Sequence, residues 1–165
     1  MKPYDDQDED RMVELLTNTL IKETFMVPDF ASREEAISMF KRLQRYSCSD
    51  EHYELGIYLQ GELIGFVNDV EIASDSIEIG YVIHPDFHNQ GFATEALSTV
   101  IKDLIQRGYR KVITGTFETN IASRRVMEKC GMKRLGKETD ISYHGRQQHC
   151  IFYSITASHL DDHLE

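Results

Sequence analysis

The chain contains 165 residues, of which 41% are hydrophobic, 10% aromatic and 28% charged. We expect a single domain over residues 1–165, with a core of about residues 4–156 and a polar tail over 157–165. The composition excludes disordered, collagen-like and low-complexity chains. No apolar run approaches the roughly 20 residues that span a bilayer, which excludes a transmembrane protein and any membrane partner of that kind.

The net charge of −10 is concentrated at the two ends of the chain. Without the eight terminal acids and Lys2, the body carries 20 acids against 17 bases. A nearly neutral body has no basic footprint, so we expect no nucleic-acid partner. The terminal acids are interpreted as solvated faces rather than a docking patch, and the final Leu164-Glu165 is typical of a cloning scar before an affinity tag.

The N-terminus and the cysteines predict a cytoplasmic protein. Residues 1–10 are acidic rather than basic and then apolar, so they do not form a secretory signal. Cys48, Cys130 and Cys150 form neither an even set nor a C-x-x-C pair, and we interpret them as reduced thiols. The seven histidines are scattered without metal-ligand spacing, so we expect no metal site.

The first third of the chain predicts helices. Apolar residues recur at helical spacing from Met12 through Leu20, after acidic residues that suit a helix N-terminus. After Pro28, the segment Ser32-Arg33-Glu34-Glu35 matches a capping box and predicts a second helix with an apolar stripe.

The periodicity changes to strict alternation at Tyr53. Three strands are predicted as an antiparallel meander, over Tyr53–Leu59, Glu62 to about Val70, and Ser76–Ile83. Gln60-Gly61 predicts the tight turn between the first two strands.

A long amphipathic helix, predicted from Ala93 through Ile105, follows the meander, with Gly108 at its C′ position. The next strand, Lys111–Phe117, completes a crossover unit and therefore a locally parallel pair. A short helix capped by Asn120 and a closing hairpin follow; its strands lie near Lys133–Asp140 and Gln148–Ile155, with the turn at Tyr143-His144-Gly145. The predicted class is α+β, with a mixed, largely antiparallel sheet flanked by helices.

The segment Tyr81–Ala96 is the most informative stretch for chemistry. A strand ends, a polar loop carries Gly91, and the long helix begins. Helix N-termini offer unpaired N–H groups and partial positive charge, which suit a phosphate or pyrophosphate. On spacing alone, the pattern favours an ordinary tight turn before a helix over a ligand site. A dinucleotide fingerprint and a Walker loop are excluded because their further glycines and Gly-Lys-Ser/Thr are missing.

A second segment, Asn120–Met132, adds support for a ligand site. Together the two segments make the chain resemble the GNAT superfamily of acetyl-CoA-dependent N-acetyltransferases, over roughly Tyr4 to Thr156. The branch of ribosomal-protein N-terminal acetyltransferases has Gly-Tyr-Ala-Thr-Glu-Ala where this chain has Gly91–Ala96. The same branch has an Asn-x-x-Ser helix ending in Glu-Lys-x-Gly-Phe, matched here by Asn120, Ser123 and Glu128–Met132.

The resemblance implies acetyl-CoA as co-substrate, without a metal. The third strand would splay from the fourth to form the acetyl-CoA cleft, and the pantetheine amides would pair there with Tyr81, Val82 and Ile83. Backbone N–H groups would hold the pyrophosphate along His88, Asn89, Gln90, Gly91, Phe92, Ala93 and Thr94. Asn120 and Ser123 would line the thioester end, and Lys129 would reach the cofactor's phosphates. Two positions depart from the family: His88 replaces Arg or Gln, and Met127 replaces a frequent Tyr.

The family mechanism is direct attack of an amine on the thioester in a ternary complex. The backbone amide near Val82 would polarise the carbonyl. Glu78 is the candidate general base, through water, and Ser123 the candidate acid for the departing thiolate. Each of these residues also has a structural alternative: Glu78 would be a strand-surface Glu in a salt bridge, and Ser123 would be a Ser on the surface of a helix.

The acceptor is the least determined feature. A primary amine, either a protein N-terminus or a small molecule, is implied, and Tyr143 and Tyr153 are candidates to close the acceptor side. The resemblance is also compatible with a homodimer. The competing function is a catalytically silent acyl-CoA-binding or sensor module of the same fold.

Overall fold

The computed structural model describes residues 1–158, so the predictions for residues 159–165 lie outside the described part. The helices are α1 (Glu9–Thr17), α2 (Thr19–Thr24), α3 (Arg33–Ser47), α4 (Phe92–Gln106) and α5 (Ile121–Lys129). The strands are β1 (Glu54–Leu59), β2 (Glu62–Ile72), β3 (Ser76–Ile83), β4 (Lys111–Phe117), β5 (Lys133–Tyr143) and β6 (Arg146–Thr156). Short 3-10 turns cover Asp6–Asp8 and Pro85–Phe87.

The strands form one six-stranded mixed sheet in the order β1-β2-β3-β4-β6-β5. β3 and β4 pair in parallel, whereas β1 with β2, β4 with β6, and β5 with β6 pair antiparallel. The predicted crossover and the predicted α+β class are therefore confirmed. Within residues 1–158, none of the helices has both the length and the hydropathy that crossing a membrane requires.

The described chain divides into two compact units. The first contains residues 1–69 and 81–92, and the second contains residues 70–80 together with the described residues from 93 onward. In the first unit, α1 and α3 bury apolar stripes with side chains of the meander; the buried cluster includes Met12, Leu15, Phe40, Leu63 and Phe66.

The predicted first helix is interrupted, which corrects the expectation of one helix through Leu20. α1 ends at Thr17, and Asn18 adopts an extended backbone with ψ of 123°. The Asn18 Oδ1 accepts hydrogen bonds from the N–H groups of Leu20 and Ile21 and so caps a separate helix, α2. The apolar periodicity continues across the break, but the side-chain cap competes successfully with the helical backbone.

The capping box of α3 forms with one changed partner. The Ser32 Oγ accepts from the Glu35 N–H at 3.4 Å, as predicted. The Glu35 carboxylate accepts from the Ala31 N–H at 2.8 Å rather than from the Ser32 N–H. Both contacts still satisfy donors at the start of α3.

In the second unit, α4 buries its apolar stripe together with one face of the sheet. The fully buried side chains include Ile77, Ile79, Leu97, Ile101 and Leu104. The helix ends as predicted at Gly108, which has φ of 102°; its N–H donates to Ile105 O and the Tyr109 N–H donates to Leu104 O. This paired pattern is a Schellman cap.

Several predicted boundaries shift by one to a few residues. β1 begins at Glu54 because the Tyr53 N–H donates to the Asp69 side chain at 2.7 Å. β2 continues to Ile72, α4 begins at Phe92, and the closing hairpin is longer than predicted because β5 and β6 pair up to the turn. That turn has positive φ at His144 (49°) and Gly145 (70°), in agreement with the predicted position.

Candidate active site

The exit from β3 is fixed by His84 in the first unit. Its Nδ1 accepts from the Asp86 N–H at 3.2 Å and so caps the Pro85–Phe87 turn. Since Nδ1 accepts, the proton lies on Nε2, which is 3.0 Å from a carboxylate oxygen of Glu14. The buried imidazole therefore connects α1 to the segment that leads into the predicted pyrophosphate loop.

His88 connects this loop back to the end of β3. Its Nε2–H donates to Ile83 O at 2.8 Å. The following residues include two with positive φ, Asn89 at 59° and Gly91 at 87°, and the Gln90 side chain donates to Asp86 O at 3.2 Å. Alternation of the backbone through the left-handed region aims successive N–H groups toward one side, which is a geometry that suits an anion. The family departure at His88 therefore supplies a contact that holds the loop.

Gly65 allows β2 to approach β3 closely, a contact that the sequence patterns did not predict. A Cβ added at Gly65 would lie 2.1 Å from Val82 O and 3.1 Å from the Ile83 Cα. No side chain fits at that distance, so glycine is required there. Val82 and Ile83 are both buried.

In the second unit, Thr94 contacts the end of α5 through Cys130. The Cys130 Sγ donates to Thr94 O at 3.5 Å, and the Ser98 Oγ donates to the same sulfur at 3.5 Å. Burial raises the pKa of the Cys130 thiol. A protonated, hydrogen-bonded thiol of this kind joins α4 to α5 and is not an activated nucleophile.

The predicted residues on α5 lie at both of its ends. The Asn120 Oδ1 accepts from the Ser123 N–H at 3.1 Å and caps the helix, so that carbonyl has a structural role. Lys129 is exposed in the last turn, about 13 Å from Asn120 along the helix at 1.5 Å per residue. Met127, at the family's frequent Tyr position, is completely buried in the core.

The two candidate acceptor-side tyrosines lie on different faces of the sheet. The Tyr153 hydroxyl donates to a Glu128 carboxylate oxygen at 3.1 Å, which places this buried ring on the α5 side. Tyr143 belongs to the other face, where its ring centroid lies 5.8 Å from that of Phe117.

Glu78 lies on the Tyr143 face, opposite the α5 side. It pairs with Ile113 across the parallel ladder, and Gly115, two residues along β4, pairs with Phe152 on β6. A Cβ added at Gly115 would lie 2.9 Å from the Phe152 ring and 3.6 Å from the Glu78 Oε1. Because Gly115 has no side chain, the Glu78 carboxylate and the Phe152 ring lie close to each other on this face of the sheet.

A lysine that the sequence did not single out completes this arrangement. The Lys137 Nζ lies 3.7 Å from the Glu78 Oε2 and 4.2 Å from the centroid of the Phe152 ring. The Glu78 side chain is 13% exposed and the Lys137 side chain 55% exposed. Burial raises the pKa of Glu78, the Lys137 ammonium lowers it, and the charge of Glu71 raises it. A raised pKa makes this carboxylate a stronger base than an ordinary Glu. The ion pair anticipated as the structural alternative is present as well.

Lys137 reaches Glu78 because β5 is irregular. The register with β6 passes from Arg134↔Tyr153 to Glu138↔Ile151, so three residues of β5 lie opposite Phe152 alone. A period-two strand pattern assigns alternate residues to alternate faces and cannot reveal such an insertion.

The ladder that joins β3 to β4 is shorter than either strand. It pairs Ser76–Ile79 with Lys111–Thr114, the first four residues of each strand. Glu78 lies within this paired stretch, whereas the predicted cofactor residues of β3 follow it in the chain.

Comparison with known proteins identifies the family. The family model described as "Acetyltransferase (GNAT) domain" matches residues 1–133. The uncharacterized N-acetyltransferase YnaD of Bacillus subtilis (strain 168) is 37% identical over 60 residues, which cover 36% of this chain and 35% of YnaD. The uncharacterized N-acetyltransferase YoaA of the same organism is 27% identical over 141 residues, covering 82% of this chain and 80% of YoaA.

Solved structures show the same fold. The ribosomal L7/L12 alpha-N-protein acetyltransferase RimL, in complex with coenzyme A, superposes with a TM-score of 0.79 at 17% identity. The superposition covers 94% of this chain and 92% of RimL. The matched family model extends over most of the chain, including β3, the loop that follows it, α4 and α5. The chain therefore belongs to the GNAT family and is an acetyl-CoA-dependent acetyltransferase.

Proposed function

We propose that the protein transfers the acetyl group of acetyl-CoA to a primary amine by direct attack in a ternary complex. The observation that carries this proposal is Glu78, a largely buried carboxylate whose pKa is raised and which lies on the face opposite α5. A base on that face can accept a proton from an incoming ammonium while the thioester is held from the α5 side.

The cofactor assignments from the sequence become part of this proposal. The segment Tyr81–Ile83 would pair with the pantetheine, and the backbone of His88–Thr94 would hold the pyrophosphate. The positive φ values at Asn89 and Gly91, together with the N-terminus of a 15-residue helix, support an anion at this loop. Asn120 and Ser123 would face the thioester, and Lys129 would approach the phosphates.

In the proposed reaction Glu78 draws a proton from the acceptor ammonium through water. The neutral amine attacks the carbonyl carbon, while the backbone N–H near Val82 stabilises the developing oxyanion. Ser123 then donates a hydrogen bond or a proton to the departing thiolate.

The acceptor belongs to one of two classes, a protein N-terminus or a small-molecule amine. The two motifs quoted from the sequence favour the branch that acetylates protein N-termini. We place the reaction in the cytoplasm, because the three cysteine thiols are free.

Two measurements test the function. Calorimetric titration with acetyl-CoA should show selective binding, with ATP and NAD as control ligands. Thiol release should then be followed with peptides carrying free N-termini and with small amines. Ser123→Ala should lower turnover about 10-fold or more, with a smaller effect on acetyl-CoA binding, because it removes the proposed acid for the thiolate.

The same measurements identify the competing function. A catalytically silent acyl-CoA-binding module would bind acetyl-CoA selectively and release no thiol with any of these amines. Absence of selective acetyl-CoA binding would contradict both the proposal and the competing function.

A further inference from the structure

The Glu78 face already contains a primary amine. The Lys137 Nζ lies 3.7 Å from the Glu78 carboxylate, and the Phe152 ring supports the ammonium at 4.2 Å from its centroid. A carboxylate and an aromatic face are the two features that bind an alkylammonium group. This position therefore accepts an unbranched primary amine in the folded protein.

We propose that Lys137 is a self-acetylation site, at which the protein transfers one acetyl group from acetyl-CoA to its own side chain. The proposal rests on the proposed function, since Glu78 must act as the base. It assigns the acetylated atom as the Lys137 Nζ and the acceptor class as a primary alkylamine on an unbranched stem.

Proximity and mobility both favour Lys137. Its amine is held beside the base without a binding step, which removes the entropic cost that a separate acceptor would pay. The side chain is 55% exposed and its stem has four rotatable carbons, so the amine can leave the Phe152 ring and turn toward a thioester. Lys133 lies at the start of the same strand and is also exposed, but within the described residues it does not pair with Glu78.

The step balances as follows. The Lys137 ammonium gives one proton to Glu78, directly or through water, and becomes a neutral amine. Its nitrogen forms a bond to the acetyl carbon, and the carbon–sulfur bond of acetyl-CoA breaks. The coenzyme A thiolate leaves with the electron pair and takes up a proton, and the amide nitrogen loses its remaining surplus proton to solvent. The products are one acetyl-lysine and one coenzyme A.

The charge of the site changes as a consequence. The ammonium that faces Glu78 is replaced by a neutral amide, so the carboxylate loses its cationic partner. The modification can occur only once per chain, and each event releases a single coenzyme A.

The test uses the full-length protein, isotope-labelled acetyl-CoA and no added amine. Intact mass and peptide mapping should show one labelled acetyl group on Lys137, formed at least about 10-fold faster than on Lys133. The rate constant should not change when the protein is diluted, because the transfer is intramolecular. Lys137→Arg should abolish this label, and Lys133→Arg should leave it unchanged.

Glu78→Gln separates catalysed from spontaneous acetylation. Spontaneous acetylation does not use the carboxylate as a base, so it would not become slower in this variant. Catalysed acetylation would become slower by about 100-fold or more, since the base is gone. Circular dichroism of the variant confirms that it is folded.

Two results would overturn the inference: labelling of Lys137 no faster than that of Lys133, or undiminished labelling in Glu78→Gln. Lys137→Arg keeps this failure distinct from failure of the proposed function. If that variant releases thiol with an added amine while the unmodified protein never labels Lys137, the proposed function stands and the inference is wrong.

Discussion

At the scale of single residues, the proposed chemistry depends on how Glu78, Lys137 and Phe152 influence one another's charge and position. Burial raises the pKa of Glu78, and the charge of Lys137 opposes that effect. The Phe152 ring in turn supports the ammonium, which lies 4.2 Å from the ring centroid. Sequence patterns identified Glu78 because alternation along β3 placed it opposite Ile77 and Ile79. They could not identify Lys137, because its position depends on an irregular stretch of β5.

Lys137→Met should shift the acid limb of the pH profile of kcat/KM to higher pH. The base must be ionised, so activity falls as the pH drops through the pKa of Glu78, which is already raised above its ordinary value. The charged groups that shift the pKa of Glu78 are Lys137 on β5, which lowers it, and Glu71 on β2, which raises it. Burial raises the pKa of the Cys150 thiol on β6, and the charge of Glu78 in turn raises it further. Removing the one cation raises the pKa of Glu78 further.

The measurement is kcat/KM against pH for the protein and for Lys137→Met, with Lys133→Met as the matched control. If Lys137 acted only through packing, its loss would lower the maximum of kcat/KM without shifting the acid limb of the pH profile. An unshifted limb would therefore contradict the electrostatic role of Lys137.

At the scale of elements, the sequence predicted which helices and strands exist, and their order, better than it predicted where each one begins and ends. Sequence patterns predicted all six strands and the helices α3, α4 and α5. The helices α3 and α4 were predicted from their apolar stripes, and α5 from its Asn120 cap. The apolar spacing failed at Asn18, where a side-chain cap splits one apolar pattern into two helices. It also gave no sign of the close approach at Gly65, since such a contact is set by the partner strand.

Gly65→Ala should destabilise the protein by about 1–3 kcal/mol, the usual cost of forcing a methyl group into occupied space. The added Cβ would lie 2.1 Å from Val82 O, so the backbone of β2 or β3 must move. Gly136→Ala is the matched control, because a Cβ there meets nothing within 4 Å. Urea unfolding measures both variants, and equal stabilities would contradict the close approach.

His88→Ala should weaken coenzyme A binding through the loop. The imidazole hydrogen bond to Ile83 O is lost, which costs about 0.5–1.5 kcal/mol, or roughly 2- to 12-fold in the dissociation constant. Pantetheine lacks the pyrophosphate, so its binding should change little. Calorimetric titrations with both ligands make the comparison, and equal weakening of the two would show that His88 does not act through the pyrophosphate loop.

At the scale of the whole molecule, a buried carboxyl makes stability depend on pH. Glu54 is 3% exposed and accepts a hydrogen bond from the Tyr4 hydroxyl, and burial raises its pKa to about 8. The folded carboxyl is therefore protonated at neutral pH, whereas the unfolded one is ionised. Its stabilising contribution is complete below the unfolded pKa of 4.5 and is lost as the pH rises toward about 8.

Glu54→Gln should remove this dependence. Between about pH 5 and pH 8 the free energy of unfolding of the unmodified protein should carry a term that falls by about 1.4 kcal/mol per pH unit, and the variant should lack that term. Denaturant unfolding at several pH values provides the measurement. Parallel profiles for the two proteins would contradict a protonated Glu54.

The family could be predicted from sequence because two motifs, Gly91–Ala96 and Asn120–Met132, lie in the correct elements about 30 residues apart. The family match over residues 1–133 agrees with that prediction. The acceptor could not be predicted, since the side chains on the Glu78 face come from strands far apart in the chain. Only the folded sheet brings Lys137 and Phe152 to the same carboxylate.

The role of Glu78 is tested by the turnover of Glu78→Gln at saturating acetyl-CoA, with an amine that the unmodified protein acetylates. We expect kcat to fall by about 100-fold or more, the ordinary contribution of a general base, with unchanged acetyl-CoA affinity. Glu71→Gln removes a carboxylate on neighbouring β2 and should retain its turnover at neutral pH. Undiminished turnover of Glu78→Gln would contradict the central claim that this carboxylate is the base.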